Sequence, residues 1–126
     1  MKTILVDAAG TFVVDGKIDE KLYQLLENYP NKKIILTNAN DEQIVTFGLT
    51  DLPYELFTLK HNPDKIDPVY FQKMIEQFNL KAEDCVYFEH ALQAVESAKS
   101  IGIISYHFDE QKRDLESLKI FLDNNV

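Results

Sequence analysis

Five short, unbroken apolar runs, each followed by a stretch with helical periodicity, set the strongest limit on what this chain can become. The runs are Thr3–Val6, Lys33–Thr37, Tyr54–Leu59, Cys85–Phe88 and Ile103–Phe108. A continuous apolar run of this length is the mark of a strand buried on both faces, as in a parallel sheet. Between the runs, apolar residues recur at helical spacing. Ile18, Leu22, Leu25, Leu26 and Tyr29 form one stripe, Phe71, Met74, Ile75 and Phe78 a second, and Leu92, Val95, Ala98 and Ile101 a third. Leu115, Leu118, Phe121 and Leu122 close the chain with a fourth, and Asp41 is placed to cap a short helix through Phe47, ended by Gly48. Gly10 and Gly16 around Thr11–Asp15 predict a turn or small hairpin.

Alternating strands and helices predict an α/β fold: a doubly wound, open parallel sheet of about five strands with helices on both faces. The expected domain is a single one covering residues 1–126. Its 45% hydrophobic content is enough for one core and excludes a disordered tail.

In open α/β sheets, ligands bind outside the carboxyl ends of the strands. The residues there are Asp7, Thr37 with Asn38, Lys60 to Lys65, Glu89 with His90, and Asp109. Asp7 ends an apolar run and precedes Ala8-Ala9-Gly10-Thr11. A carboxylate so placed is either a nucleophile or the cap of the next turn, and the small residues after it leave backbone N–H groups free to cradle an anion. Thr37 and Asn38 offer a hydroxyl and adjacent N–H groups to phosphoryl oxygens, or serve as an ordinary helix cap. Lys65, with Lys60 as the second candidate, can neutralise both a carboxylate and a bound phosphate, or lie solvated in its loop.

Charge and cysteine content narrow the partners. Thirteen Lys and Arg against 21 Asp and Glu leave a net charge of −8, which repels nucleic acid and anionic membranes. Cys85 is the only cysteine, so neither an internal disulfide nor a cysteine-rich zinc site can form. No apolar stretch reaches the length of a signal peptide core or a membrane span. The expectation is a cytoplasmic protein. His61 and His107 lack partners at ligand spacing and read as structural, and Asp109 reads as a helix cap.

Taken together, these positions resemble the haloacid dehalogenase (HAD) superfamily of phosphatases and related hydrolases. The family's first motif is a hydrophobic run, Asp, any residue, Asp, Gly, Thr, against Ile4-Leu5-Val6-Asp7-Ala8-Ala9-Gly10-Thr11 here. Its second is a strand ending in Thr or Ser, here Ile34-Ile35-Leu36-Thr37-Asn38. Its third is a Lys before a Pro-led helix, here Lys65 to Phe71. Its fourth is a strand followed by acids and a helix with late Ala and Gly, here Val86-Tyr87-Phe88-Glu89-His90-Ala91, then Ala98 and Gly102. The resemblance spans nearly the whole chain. It implies that Asp7 is the nucleophile, that Lys65 orients the transferred group and balances charge, and that Ala8, Ala9, Thr37 and Asn38 bind phosphate. It also implies Mg²⁺ held by Asp7, the backbone carbonyl of Ala9 and an acid of the fourth motif.

The chain departs from that pattern in two places. Ala9 replaces the Asp that protonates the leaving group in the family's phosphatases. His90 stands where the metal-binding Asp is usual, Ala94 replaces a later acid, and Glu89 sits one residue early. A loss of Mg²⁺ affinity is the plain expectation, because Mg²⁺ prefers hard oxygen ligands. Three alternatives are open: Glu89 takes over as a metal ligand, the metal changes, or protonated His90 stands in for the cation. The gaps from Asp7 to Thr37 and from Thr37 to Lys65 are too short for a cap domain. The resemblance is therefore to the capless type, whose open site implies a large substrate or oligomerisation over the site. The functional expectation is a weak phosphatase acting on a phosphorylated small molecule or phosphoprotein. The alternative is an inactive domain that binds a phosphorylated ligand or protein partner, and homo-oligomers fit either reading.

Overall fold

The computed structural model describes residues Met1–Val126. In chain order it comprises β1 (Thr3–Asp7), β2 (Val13–Val14), β3 (Lys17–Ile18), α1 (Glu20–Glu27), β4 (Lys33–Thr37), α2 (Asp41–Thr46) and β5 (Glu55–Thr58). Then follow α3 (Pro68–Gln77), a single 3₁₀ turn at Ala82–Asp84, β6 (Cys85–Glu89), α4 (Leu92–Ser100), β7 (Ile104–His107) and α5 (Leu115–Asn125).

The five apolar runs form one sheet in the order β5-β4-β1-β6-β7, and every pairing is parallel. The chain runs outward from β1 to β5, crosses back, and continues from β6 to β7 on the other side. The crossing places a crevice between the carboxyl ends of β1 and β6, which is where ligands enter such sheets.

Period-two alternation along the strands assigns each side chain to one of two cores. Ile4, Val6, Ile35, Val86 and Phe88 face α1 and α5, where they meet Leu22, Leu26, Leu118 and Leu122. Leu5, Ile34, Leu36, Cys85 and Tyr87 face α3 and α4, where they meet Tyr70, Phe71, Met74 and Ala98. The expected doubly wound sheet with helices on both faces is present. The glycine-flanked turn is the expected hairpin, an antiparallel β2–β3 pair. No helix is long and apolar enough to cross a membrane.

Two capping expectations need correction. Asn40, not Asp41, caps α2. Its side chain accepts from the Gln43 N–H while the Gln43 side chain accepts from the Asn40 N–H, a reciprocal pair that Asp41 is one residue too late to make. Asp109 accepts from the N–H groups of Gln111 and Lys112 in a turn before the last helix, and Asp114 caps that helix through the Ser117 N–H. The extra turn, which ends on Arg113 at φ 47°, has no apolar periodicity to announce it.

Candidate functional site

Strand geometry brings the two carboxylates together. Asp7 follows Leu5 by two residues in β1, and Glu89 follows Tyr87 by two in β6. In the parallel register Leu5 lies beside Tyr87. Both acids therefore point to the α3–α4 face at the open ends of neighbouring strands. Each is almost fully buried, at 3% and 1% exposure.

Lys65 reaches between them from the loop before α3. Its ammonium lies 2.7 Å from Asp7 Oδ1 and 2.9 Å from Glu89 Oε1. The lysine is itself 4% exposed, so three ionisable groups share one desolvated volume. The loop is pinned where the Lys65 N–H donates to Asn38 Oδ1 at 2.8 Å. The two acids that flank Lys65 in sequence are engaged elsewhere: Asp64 bonds His61, and Asp67 caps α3. Lys60 pairs with Asp41 at the surface and leaves the site to Lys65.

The fourth member is His90. Its Nδ1 is 2.5 Å from Asp7 Oδ2 and 3.3 Å from Glu89 Oε2. The Thr11 hydroxyl donates to the same Asp7 oxygen at 2.7 Å. Glu89 also accepts from the Tyr87 hydroxyl and, at 3.1 Å, from the Ala91 N–H.

The titration of these groups follows from the contacts. Burial alone pushes the Asp7 carboxyl up, but the Lys65 ammonium and the His90 hydrogen bond outweigh it and hold Asp7 well below the usual carboxylate range. Burial and the Asp7 charge push Glu89 up to about 7, against the pull of Lys65. Burial works to lower Lys65, yet the two carboxylates raise it and keep it charged. The hydrogen bond to Asp7 raises His90 above its ordinary value in spite of burial.

These groups form one wall of a cavity of about 370 Å³. Thr37, Asn38 and Ala9 line it as well, so the fold does bring the sequence-predicted residues together. Ala8 differs: its N–H donates to the Leu36 carbonyl and its own carbonyl accepts from the next turn, so it offers the cavity nothing. The N–H groups of Ala9 and Asn38 donate to no group of the protein. They remain available to an anion. Thr37 Oγ1 accepts from the Ala39 N–H, which leaves its hydroxyl hydrogen free to donate.

Three further residues support the site without standing among the expected site residues. His61, expected to be structural, lines the cavity and bonds both Asp64 and the Gln43 Oε1 of α2. Tyr87 supports Glu89, and period two would have flagged it. Arg113 clamps the loop after β1 through the carbonyls of Gly10 and Thr11 while pairing with Asp19. It is far away in sequence, and nothing local marks it.

The resemblance implies Mg²⁺ here, and Asp7, Glu89 and His90 do bring one donor atom each within 4.8 Å of one another. The donors as arranged do not fit Mg²⁺. An imidazole nitrogen already bridges the two carboxylates, and an Mg²⁺ site wants oxygen ligands in near-octahedral array.

No family model matches the sequence, and no curated protein matches it. Solved structures do. The core domain of a phosphoglycolate phosphatase candidate from Streptococcus pneumoniae aligns at 17% identity over 97% of this chain and 95% of that one, with a TM-score of 0.64. A HAD family enzyme from Bacteroides thetaiotaomicron, an Asp-to-Ala variant in complex with magnesium and inorganic phosphate, aligns at 12% identity over 85% and 93%, with a TM-score of 0.63. The D,D-heptose 1,7-bisphosphate phosphatase of Burkholderia thailandensis aligns at 11% identity over 93% and 85%, with a TM-score of 0.58. The fold is HAD-like. Its coverage on both sides is that of a core without a cap, which agrees with the short gaps between the motifs of this HAD-like chain. Identities this low carry the fold alone.

Proposed function

We propose that the cavity binds the phosphoryl group of a phosphate monoester and that Asp7 attacks it, slowly and only when the leaving group is activated. One observation carries this reading: the buried contact of Asp7 Oδ1 with Lys65 on the cavity wall, beside the unpaired N–H groups of Ala9 and Asn38. Oδ1 accepts from Lys65 alone, so it retains a lone pair for phosphorus. A bond forms from Oδ1 to phosphorus as the ester P–O bond breaks. The leaving oxygen departs with the electron pair and takes its proton from water. A second water then hydrolyses the aspartyl phosphate. The phosphate bound by the HAD family enzyme from Bacteroides thetaiotaomicron supports the choice of ligand.

Ala9 supplies no general acid, a loss of about 10²–10⁴-fold in a typical enzyme. Aryl phosphates, whose leaving groups need no protonation, suit such a site, and alkyl phosphates do not. Phe47 and Ile66, 39% and 61% exposed, flank the cavity and offer an apolar surface to such a group. An open cleft of this kind accommodates a phosphorylated small molecule or a phosphoprotein segment. The acidic charge and the single buried Cys85 suit a cytoplasmic protein.

A second reading is binding without turnover, with the phosphorylated ligand held by the same groups. It is favoured by the double engagement of Asp7 Oδ2 by Thr11 and His90, which blunts the nucleophile. Hydrolysis of p-nitrophenyl phosphate by the wild type and by Asp7→Asn decides between them. Turnover abolished in the variant supports the nucleophile, provided an alkyl phosphate is left intact. Equal rates for the two proteins overturn it and leave binding.

A further inference from the structure

We infer that His90 occupies the place of a divalent cation, so that the anion site of Asp7 and Lys65 works without metal. The inference rests on the phosphate-binding reading above and goes beyond it in naming what stands between the two carboxylates.

The argument is an account of lone pairs. A carboxylate has about four acceptor positions. Asp7 Oδ2 faces the Thr11 hydroxyl at 2.7 Å, His90 Nδ1 at 2.5 Å and the His90 N–H at 3.4 Å, so its positions are filled. Glu89 Oε1 uses its two on Lys65 and the Tyr87 hydroxyl. Glu89 Oε2 accepts from the Ala91 N–H at 3.1 Å and faces His90 Nδ1 at 3.3 Å. Asp7 Oδ1 and Glu89 Oε2 accept one hydrogen bond each, from Lys65 and from the Ala91 N–H. The Lys65 ammonium and the His90 ring each span the two acids and fill the place between the carboxylates that a metal would take.

The ring is built into this place. Asp7 accepts only, so the hydrogen of the shared bond resides on Nδ1 of His90. A Cβ at position 10 would come within 2.7 Å of the ring carbon Cε1, so the imidazole lies directly on the bare backbone of Gly10. On its far side Nε2 looks towards Glu110 Oε2 at 4.0 Å. Three acidic side chains thus converge on one imidazole, the negative surroundings that a cation site would present. Asp7 and Glu89 thus face two nitrogen groups, the Lys65 ammonium and His90 Nδ1. A phosphoryl group then meets carboxylates already engaged by these donors, and two free N–H groups, not two bare carboxylates.

The test titrates chelator-treated protein with inorganic phosphate, following the melting temperature and the heat of binding, and repeats the titration with Mg²⁺, Mn²⁺ or Zn²⁺ present. The expected result is the same upward shift in melting temperature with chelator and with each metal, and no heat from Mg²⁺ alone. His90→Asp restores an oxygen ligand, and its phosphate-induced shift is expected only when Mg²⁺ is added. A wild-type shift that needs any of the three metals overturns the inference and leaves the anion site standing. An unchanged metal-free shift in His90→Asp overturns the role of His90. Absence of any phosphate response in the wild type, with or without metal, overturns the anion site itself and the inference with it. The wild-type comparison stands even where the variant does not fold.

Discussion

Replacing Lys65 by Met keeps the length and most of the volume of the side chain and removes only the ammonium. In the wild type that ammonium lies 2.7 Å from Asp7 and 2.9 Å from Glu89, with side-chain exposures of 6%, 4% and 1% for Lys65, Asp7 and Glu89. Each attraction is worth about 4 kcal/mol at an effective dielectric of about 20 and a charge separation of about 4 Å. Much of the gross sum is cancelled by the desolvation of the lysine. What the substitution exposes is the cost of two buried carboxylates left without their shared cation, about 3–5 kcal/mol. At this chain length that corresponds to a melting temperature lower by about 10–20 °C. Urea denaturation of both proteins from pH 4 to pH 8 measures it. The pH course carries the decisive sign. In the wild type Asp7 is held below its unfolded value, so its stabilisation is present above about pH 4 and fades as pH falls. In Lys65→Met both carboxyls titrate upward through burial, and each costs stability above its unfolded value. The deficit of the variant is therefore largest at neutral pH and shrinks towards pH 4. A deficit below about 1 kcal/mol at neutral pH, the scale of an exposed pair, refutes the buried bridge. So does a deficit that stays constant with pH.

Further expectations follow from the same contacts. Gly10→Ala drives a Cβ to within 2.7 Å of the His90 ring at a backbone φ of 90°, so it costs about 2 kcal/mol or more in urea unfolding and displaces the His90 Hε1 resonance in NMR spectra. Arg113→Met leaves the carbonyls of Gly10 and Thr11 and the Asp19 carboxylate without their donor, a loss of about 2 kcal/mol that calorimetry detects. His90 is raised above its ordinary value of about 6.5, so its stabilising contribution is fully present below that pH and is lost as pH rises through the folded value. The stability gap between the wild type and His90→Gln therefore closes on the alkaline side, as urea midpoints across the range will show. Tyr70→Phe removes the hydroxyl that donates to the Thr37 carbonyl at 2.8 Å and lowers stability by about 1 kcal/mol in the same assay.

The residues that end strands were legible early because strand ends are marked by composition. Asp7, Thr37, Lys65 and Glu89 each follow an apolar run or precede a proline-led helix, and such boundaries survive in a single sequence. Helix caps are less distinct in the sequence. Asn40 and Asp41 are both good caps, and the choice between them was made by the reciprocal bond with Gln43. Asn38 has a second part: its side-chain Oδ1 accepts from the Lys65 N–H, while its own N–H is left to the cavity. His61 reads as a loop histidine with no partner at ligand spacing, yet Gln43 of α2 and Asp64 hold it at the cavity wall.

The alternation of buried runs with amphipathic stretches determined the sheet, its parallel sense and the end at which the site lies, because those depend on local periodicity and chain connectivity. It also determined what is missing, since Ala9 and Ala94 carry no acid wherever the chain places them. Which face each acid occupies, and that Lys65 joins them, was decided by the register of β1 against β6 and by the length of the loop before α3. The placing of His90 between two carboxylates, on the bare backbone of Gly10, was decided there too. Contacts across 83 residues, such as that of Asp7 with His90, leave no trace in local sequence. They exist only once the two strands lie side by side and the surrounding core has removed the water that would otherwise separate the charges.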